Sequence, residues 1–288
     1  MNALRSIANV IDSSFAPVGS FTVRRALPDR TRHAVGPWVF LDHFGPFKVT
    51  PGVDGVGAHP HAGIETVTYL LQGRNEHRDS AGHTGVVAAG GAQWMTAGRG
   101  IIHAERPLAE SEAERTMHGI QLWTSLPRAL KTTPPRYQRI EARDIPEVAL
   151  AGASVRVIAG EFASRKGPAD VLMPTVLWHV RIDAGATFEA PVPGYYEVAA
   201  YVIDGAGFFG AGEPHPAATG QLVVFETLDA ALRVHNPGVK PLELMVLGGA
   251  PAEGPLVFHG PFVMNSMEQV RAAEIAYRSG RMGTLAQA

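Results

Sequence analysis

The chain has 288 residues, long enough for two modest hydrophobic cores. It is 45% hydrophobic and 18% charged, with a formal net charge of −2 and no cysteine. These values exclude a disordered chain, a basic surface for nucleic-acid backbones, and any disulfide, thiolate metal site or cysteine nucleophile. A metal would need nitrogen and oxygen ligands. The 32 glycines and 22 prolines point to many short strands joined by turns. The segment from Met1 to Phe15 lacks the apolar core of a signal peptide, and no uncharged run reaches membrane-spanning length. A cytoplasmic protein without membrane or direct nucleic-acid contact is the expectation.

In chain order, Phe21 to Lys48 alternates short apolar runs with turn residues. Ile64 to Gln72 is rich in β-branched and aromatic residues and closed by Gly73, which predicts a strand entering a turn. Further strands are predicted at 85–89, 93–96, 101–105 and 117–124. Pro127 to Pro146 reads as the connection between domains. Strands recur at 154–159, 175–182, 198–203, 222–226, 231–235 and 242–247. One helix is predicted at 266–278, capped by Ser266 with Glu268 in its first turn and Val270, Ala273, Ile275 and Tyr277 as its apolar positions.

The chain also repeats itself. Tyr69-Leu70-Leu71-Gln72-Gly73 returns as Tyr201-Val202-Ile203-Asp204-Gly205, and Glu65 returns as Glu197, both at an offset of 132 residues. A duplicated antiparallel β-domain explains this. The expected fold is all-β, with two barrels and a short C-terminal helix, divided as 1–135 and 136–288.

Histidine carries the chemistry. His59-Pro60-His61 and His103-Ala104-Glu105 each place two donors at i and i+2, on one face of an extended segment. Pro60 disfavours helix there. Three imidazoles and a carboxylate suit Fe, Mn, Ni, Cu or Zn. Glu65 shares parity with His59 and His61, so spacing alone leaves both Glu65 and Glu105 open as the carboxylate. Against the metal stands the plain reading of a surface His-x-His, a core-edge His103 and a Glu105 paired with Arg99 or Arg106. Two same-face pairs in one domain favour the metal.

Residues 53–73 resemble the first cupin motif, and TAGRGIIHAE, ending at Glu105, resembles the second. FLDHFGP (40–46), HPHAGIETVTYLLQG (59–73), HRDSAGHTG (77–85), QWMTAGRGIIHAE (93–105), MHGIQLW (117–123) and GPFVMN (260–265) together resemble the pirin family. The resemblance implies a bicupin with iron, Fe2+ or Fe3+, in the N-terminal barrel, held by His59, His61, His103 and Glu105. It leaves Glu65 beside the site, and either glutamate as a candidate catalytic base. Ala62 departs from the family, which commonly carries Arg there. In the second half the 132-residue offset puts Pro191-Val192-Pro193 in place of His59-Pro60-His61, so no second metal site is expected.

The resemblance further implies a quercetin 2,3-dioxygenase, with a flavonol and dioxygen as substrates. The alternative is an iron-dependent redox-sensing regulator that binds a transcription factor or metabolic enzyme. A monomer is expected. Gly98 and Gly100 are expected to line the approach to the metal, and Trp94 and Met95 to hold an aromatic ligand. His77 and His83 read as loop residues, and His43 and His118 as cavity-lining or packing residues. His235, His215 and His259 read as strand-end, surface or packing residues. Gly205 to Gly210 matches a dinucleotide fingerprint but lacks the following helix, so a hairpin turn is expected there.

Overall fold

The computed structural model describes residues 3–50, 55–109, 115–212 and 215–285. Val53, the first position of the first cupin-like motif, lies outside them. The described chain is built from antiparallel strands with one α-helix, as expected. Its two compact units each combine a seven-stranded sheet with a four-stranded one.

In the N-terminal barrel the large sheet runs Arg136–Ile140, Ala92–Thr96, Ile64–Gln72, Thr116–Ser125, Trp38–Lys48, Phe21–Leu27, Ser14–Val18. The smaller sheet runs Val56–His61, Ile101–Leu108, Arg74–Asp79, Thr84–Ala88. Seven consecutive buried residues from Ile64 make that strand internal on both faces, which is why it reads as a near-continuous apolar run rather than an alternating one.

The C-terminal barrel repeats the order. Its large sheet runs Ile7–Asp12, Gln221–Phe225, Glu197–Asp204, Leu242–Gly249, Thr175–Ile182, Ala153–Ala159, Glu147–Leu150, and its smaller one Thr187–Pro191, Ala231–His235, Ala206–Phe209, His215–Ala218. Tyr69 and Tyr201, the first residues of the sequence repeat, are both fully buried in the third strand of their large sheets. The glycine-rich run 205–210, expected to be a hairpin turn, instead holds the strand Ala206–Phe209, which pairs antiparallel with His215–Ala218.

The units do not follow a single division at 135/136. Phe15–Val23 and Ala252–Ala288 go with Val39–Arg143, while Met1–Ser14 and Arg24–Trp38 go with Asp144–Pro251. The physical reason is sheet completion. The segment expected to be a connection supplies Arg136–Ile140, which pairs with Ala92–Thr96. The N-terminal strand Ile7–Asp12 pairs instead with Gln221–Phe225. Each covers what would otherwise be an open edge.

The helix spans Met267–Arg278, and Ser266 caps it by accepting from the Gln269 backbone N–H at 3.2 Å. Val270 and Ala273 are its buried residues, packed with Ala62, Phe262, Met264 and Met282. Ile275 and Tyr277, expected on the apolar face, are exposed. With 3.6 residues per turn, the stripe through 270 and 273 continues at Ala276, which is partly buried in the same cluster.

Candidate metal centre

The register of the smaller N-terminal sheet builds the site. His59 lies opposite His103, and His61 opposite Ile101. On the other side of the same strand, His103 lies opposite Asp79 and Glu105 opposite His77. Cross-strand partners share a face, so His59, His61, His103, Glu105, His77 and Asp79 project together into the barrel. Donor atoms of His59, His61 and His103 all lie within 4.8 Å of one another. The rings of His59 and His103 are 4.3 Å apart, and His61 stands 4.9 and 5.1 Å from them.

Each histidine is oriented through Nδ1. His59 meets the Gly57 carbonyl oxygen at 2.7 Å, His61 the Pro261 carbonyl oxygen at 3.1 Å, and His103 the Nδ1 of His77 at 3.4 Å. A carbonyl only accepts, so in the neutral form His59 and His61 carry their protons on Nδ1 and keep Nε2 as a lone pair. The buried Nε2 of His103 has no hydrogen-bond partner among the described residues. A buried polar atom without a partner is costly, and a metal ion among three imidazole lone pairs removes that cost. Burial, reinforced by His59, pushes the His61 imidazolium down to about 3. Burial also holds His103 well below the ordinary value, with His59, His61 and His77 adding to it. Both rings are thus neutral, the ligating form. The three histidines therefore fit a metal ion.

Glu105 is not among the three clustered donors. Its Oε1 accepts from Thr68 at 3.0 Å, from Asn75 at 3.3 Å and from Gln93, in place of an ion pair with Arg99 or Arg106. Glu65 does not join the cluster either. Its oxygens accept from Thr96 at 2.6 Å and Thr124 at 3.4 Å, and Arg136 lies 3.8 Å away. Burial raises its pKa, against the hydrogen bonds and the Arg136 charge. The shared parity with His61 fails because Ala62-Gly63 breaks the strand. Gly63, at φ +77°, turns the chain into the other sheet, where Glu65 sits three residues from Thr68 and so on the opposite face.

Further expectations change in the same way. Trp94 follows Glu65 to the far face, since it lies opposite Val67 while Gln93 lies opposite Thr68. The aromatic beside the histidine cluster is Trp123, whose ring meets His61 at 4.8 Å and stacks on Phe40 at 4.0 Å. Its place in an alternating strand was readable, but nothing local tied it to His61. Gly98 and Gly100 open no approach: a Cβ at Gly98 would strike the Thr133 carbonyl oxygen, and one at Gly100 would lie 2.5 Å from Met282. Ala62 is fully buried, and Phe262, Met264 and Met282 fill the space around it.

His77 is no loop residue. It lies in the strand Arg74–Asp79, is 1% exposed, and stacks on Tyr137 at 4.4 Å. Its Nε2 is 3.1 Å from Asp79, whose carboxylate also meets His83 Nδ1 at 2.9 Å. Burial opposes ionisation of Asp79, but hydrogen bonds from His77 and from the His83 backbone and ring outweigh it, so its pKa lies below the usual carboxylate value. His43 and His118 pair with each other, Nε2 to Nε2 at 2.7 Å.

In the C-terminal barrel the strands equivalent to Val56–His61 and Ile101–Leu108 turn Phe188, Ala190, Leu232 and Val234 into an apolar core. Pro191 is exposed at the strand end and Val192 is buried. His235 bonds Thr187 at 3.0 Å, His259 pairs with Glu274 at 3.0 Å, and His215 is exposed.

Two cupin-type barrels, one with a histidine cluster and one filled with hydrocarbon, define a bicupin with one candidate metal centre among the described residues. Residues 20–124 match the Pirin family and residues 177–283 the Pirin C-terminal cupin domain. The chain belongs to the pirin family. Pirin from Mus musculus is 36% identical over 91% of this chain and 88% of its own length. A pirin-like protein from Solanum lycopersicum is 35% identical over 91% of this chain and 87% of its own. A crystal structure described as quercetin 2,3-dioxygenase from Acinetobacter baumannii is 32% identical, covers 99% of this chain and 100% of that one, and superposes with a TM-score of 0.90.

Proposed function

We propose that the chain is a metal-dependent dioxygenase of the quercetin 2,3-dioxygenase type, with iron held by His59, His61, His103 and Glu105. The reading rests on one observation above all: the Nε2 of buried His103, without a hydrogen-bond partner among the described residues, beside two other oriented imidazoles. Likeness to the Acinetobacter baumannii structure described by that activity supports the reaction class. Bound iron would supply Lewis acidity toward the flavonol oxygens and electron exchange with dioxygen; Mn, Ni, Cu or Zn suit the same donors.

The chain's own residues do the rest. Trp123, braced by Phe40, presents a flat aromatic face beside His61 for the flavonol rings. Thr68, Asn75 and Gln93 engage Oε1 of Glu105, which leaves Oε2 to ligate or to take the proton of the 3-hydroxyl. Glu65, facing away, supports the strand instead. The burial of His61 and His103 limits water at the ring-opening step. One dioxygen and one flavonol give one carbon monoxide and one depside, which balances.

The test is oxygen uptake and carbon monoxide release with quercetin, comparing wild type with His61→Ala at matched added iron. Wild-type turnover well above the variant's supports the enzyme. Equal rates point to free iron and favour the second reading, an iron-dependent redox-sensing regulator. The bond from His61 to Pro261 favours that reading in its own way, since it ties the metal centre to the segment that carries the C-terminal helix.

A further inference from the structure

Of the three clustered histidines, two are oriented by backbone carbonyls and one, His103, by another side chain. We propose that Asp79 and His77 are positioning residues that set the tautomer of His103 and so present its Nε2 to the metal. The inference rests on the reading that the three histidines hold a metal.

The argument runs inward from Asp79. Its Oδ1 accepts from the backbone N–H groups of Ala81 at 2.9 Å and His83 at 3.0 Å. Its Oδ2 faces His77 Nε2 at 3.1 Å. A carboxylate only accepts, so a neutral His77 carries its proton on Nε2 and has a lone pair on Nδ1. That lone pair faces His103 Nδ1 at 3.4 Å, so the His103 proton sits on Nδ1. His103 Nε2 is left as a lone pair, and it is a buried atom without a hydrogen-bond partner among the described residues. With both rings neutral, one choice of proton positions satisfies every link, and it ends in a metal-ready donor. Tyr137, stacked on His77 at 4.4 Å and 12°, fixes the ring plane that the two bonds require. A carboxylate behind the chain also makes His103 a stronger electron donor than a carbonyl would.

The geometry predicts the effect of a single-atom change. In Asp79→Asn the amide oxygen is retained by the Ala81 and His83 N–H groups, so the NH2 group faces His77. His77 must then accept on Nε2 and donate from Nδ1, His103 must accept on Nδ1, and its proton moves to Nε2, where it blocks ligation. In His77→Asn the side-chain oxygen accepts from His103 Nδ1 whatever stands at position 79.

The probe is Co(II), titrated into metal-free full-length protein and followed by its visible absorption against a competing chelator, with melting of the metal-free protein alongside. Asp79→Asn should weaken Co(II) binding by about 10–100-fold with the melting temperature of the metal-free protein little changed. Added to His77→Asn, it should weaken binding by no more than about 3-fold, the non-additivity of a shared path. An equal loss in both backgrounds, or a loss matched by a lower melting temperature of the metal-free protein, overturns the proposal. Co(II) binding by wild type that His59→Ala does not weaken would instead overturn the metal reading beneath it.

Discussion

His61 donates its Nδ1 proton to the carbonyl oxygen of Pro261, 200 residues further along the chain. A candidate ligand is thus oriented by a segment that the sequence keeps remote from it. Phe262, the next residue, is 4% exposed and packs with Ala62, Met264 and Val270. Phe262→Ala should therefore destabilise the fold by about 3–5 kcal/mol, as large-to-small core changes do. It should also weaken metal binding, because the Pro261 carbonyl loses its support. Urea unfolding and metal titration check both, with exposed Tyr277→Ala as a near-neutral control.

One metal ion per chain is expected, because the C-terminal barrel is lined with hydrocarbon where the N-terminal barrel has imidazole. His59→Ala and His103→Ala should lose most of the metal and keep a folded chain, since each barrel has its own apolar strands. Elemental analysis and circular dichroism give the answer. A second equivalent of metal, or unfolding of both variants, contradicts the expectation.

Glu105→Gln should lower metal retention markedly, whereas Glu65→Gln should leave it within about 3-fold, as expected of a group that does not touch the metal. The basis is the opposite facing of the two carboxylates: Glu105 bonds Thr68, and Glu65 bonds Thr96 and Thr124. Metal content after dialysis separates the two. The reverse pattern would make Glu65 the ligand.

Lys131 is buried and donates to the carbonyls of Gly63 and Val263 and to Ser125 Oγ, at 2.8–3.0 Å. Burial pushes its ammonium down to about 8, against the attraction of Glu253, from an ordinary value of 10.5. Between these values the unfolded chain holds the extra proton, so stability from this group rises with pH, by at most about 1.4 kcal/mol per unit. Below pH 8 the penalty for the buried cation is fully present. The stability of wild type relative to Lys131→Met should therefore climb from pH 8 to pH 10, as measured by denaturant unfolding. A flat difference would mean that the three acceptors offset the desolvation.

Much was legible locally. The i, i+2 spacing of His59 and His61 and of His103 and Glu105, with Pro60 opposing helix, placed each pair on one face of a strand. The repeat of Tyr69 in Tyr201 marked the duplication, and proline in place of histidine marked the barrel without a histidine cluster. Spacing within one strand is set by the pleat and needs no partner.

What the sequence left open depended on which faces meet. Register alone put His59 opposite His103 and Trp94 opposite Val67 on the far face, and the turn at Gly63 sent Glu65 there. His77 reads as a polar loop residue until the strand Arg74–Asp79 is paired with Ile101–Leu108, and Pro261 has no local sign of its role at all. Side-chain direction follows from neighbouring residues, but the contacts that orient a ligand run between segments far apart in the chain. Only the folded structure decides those.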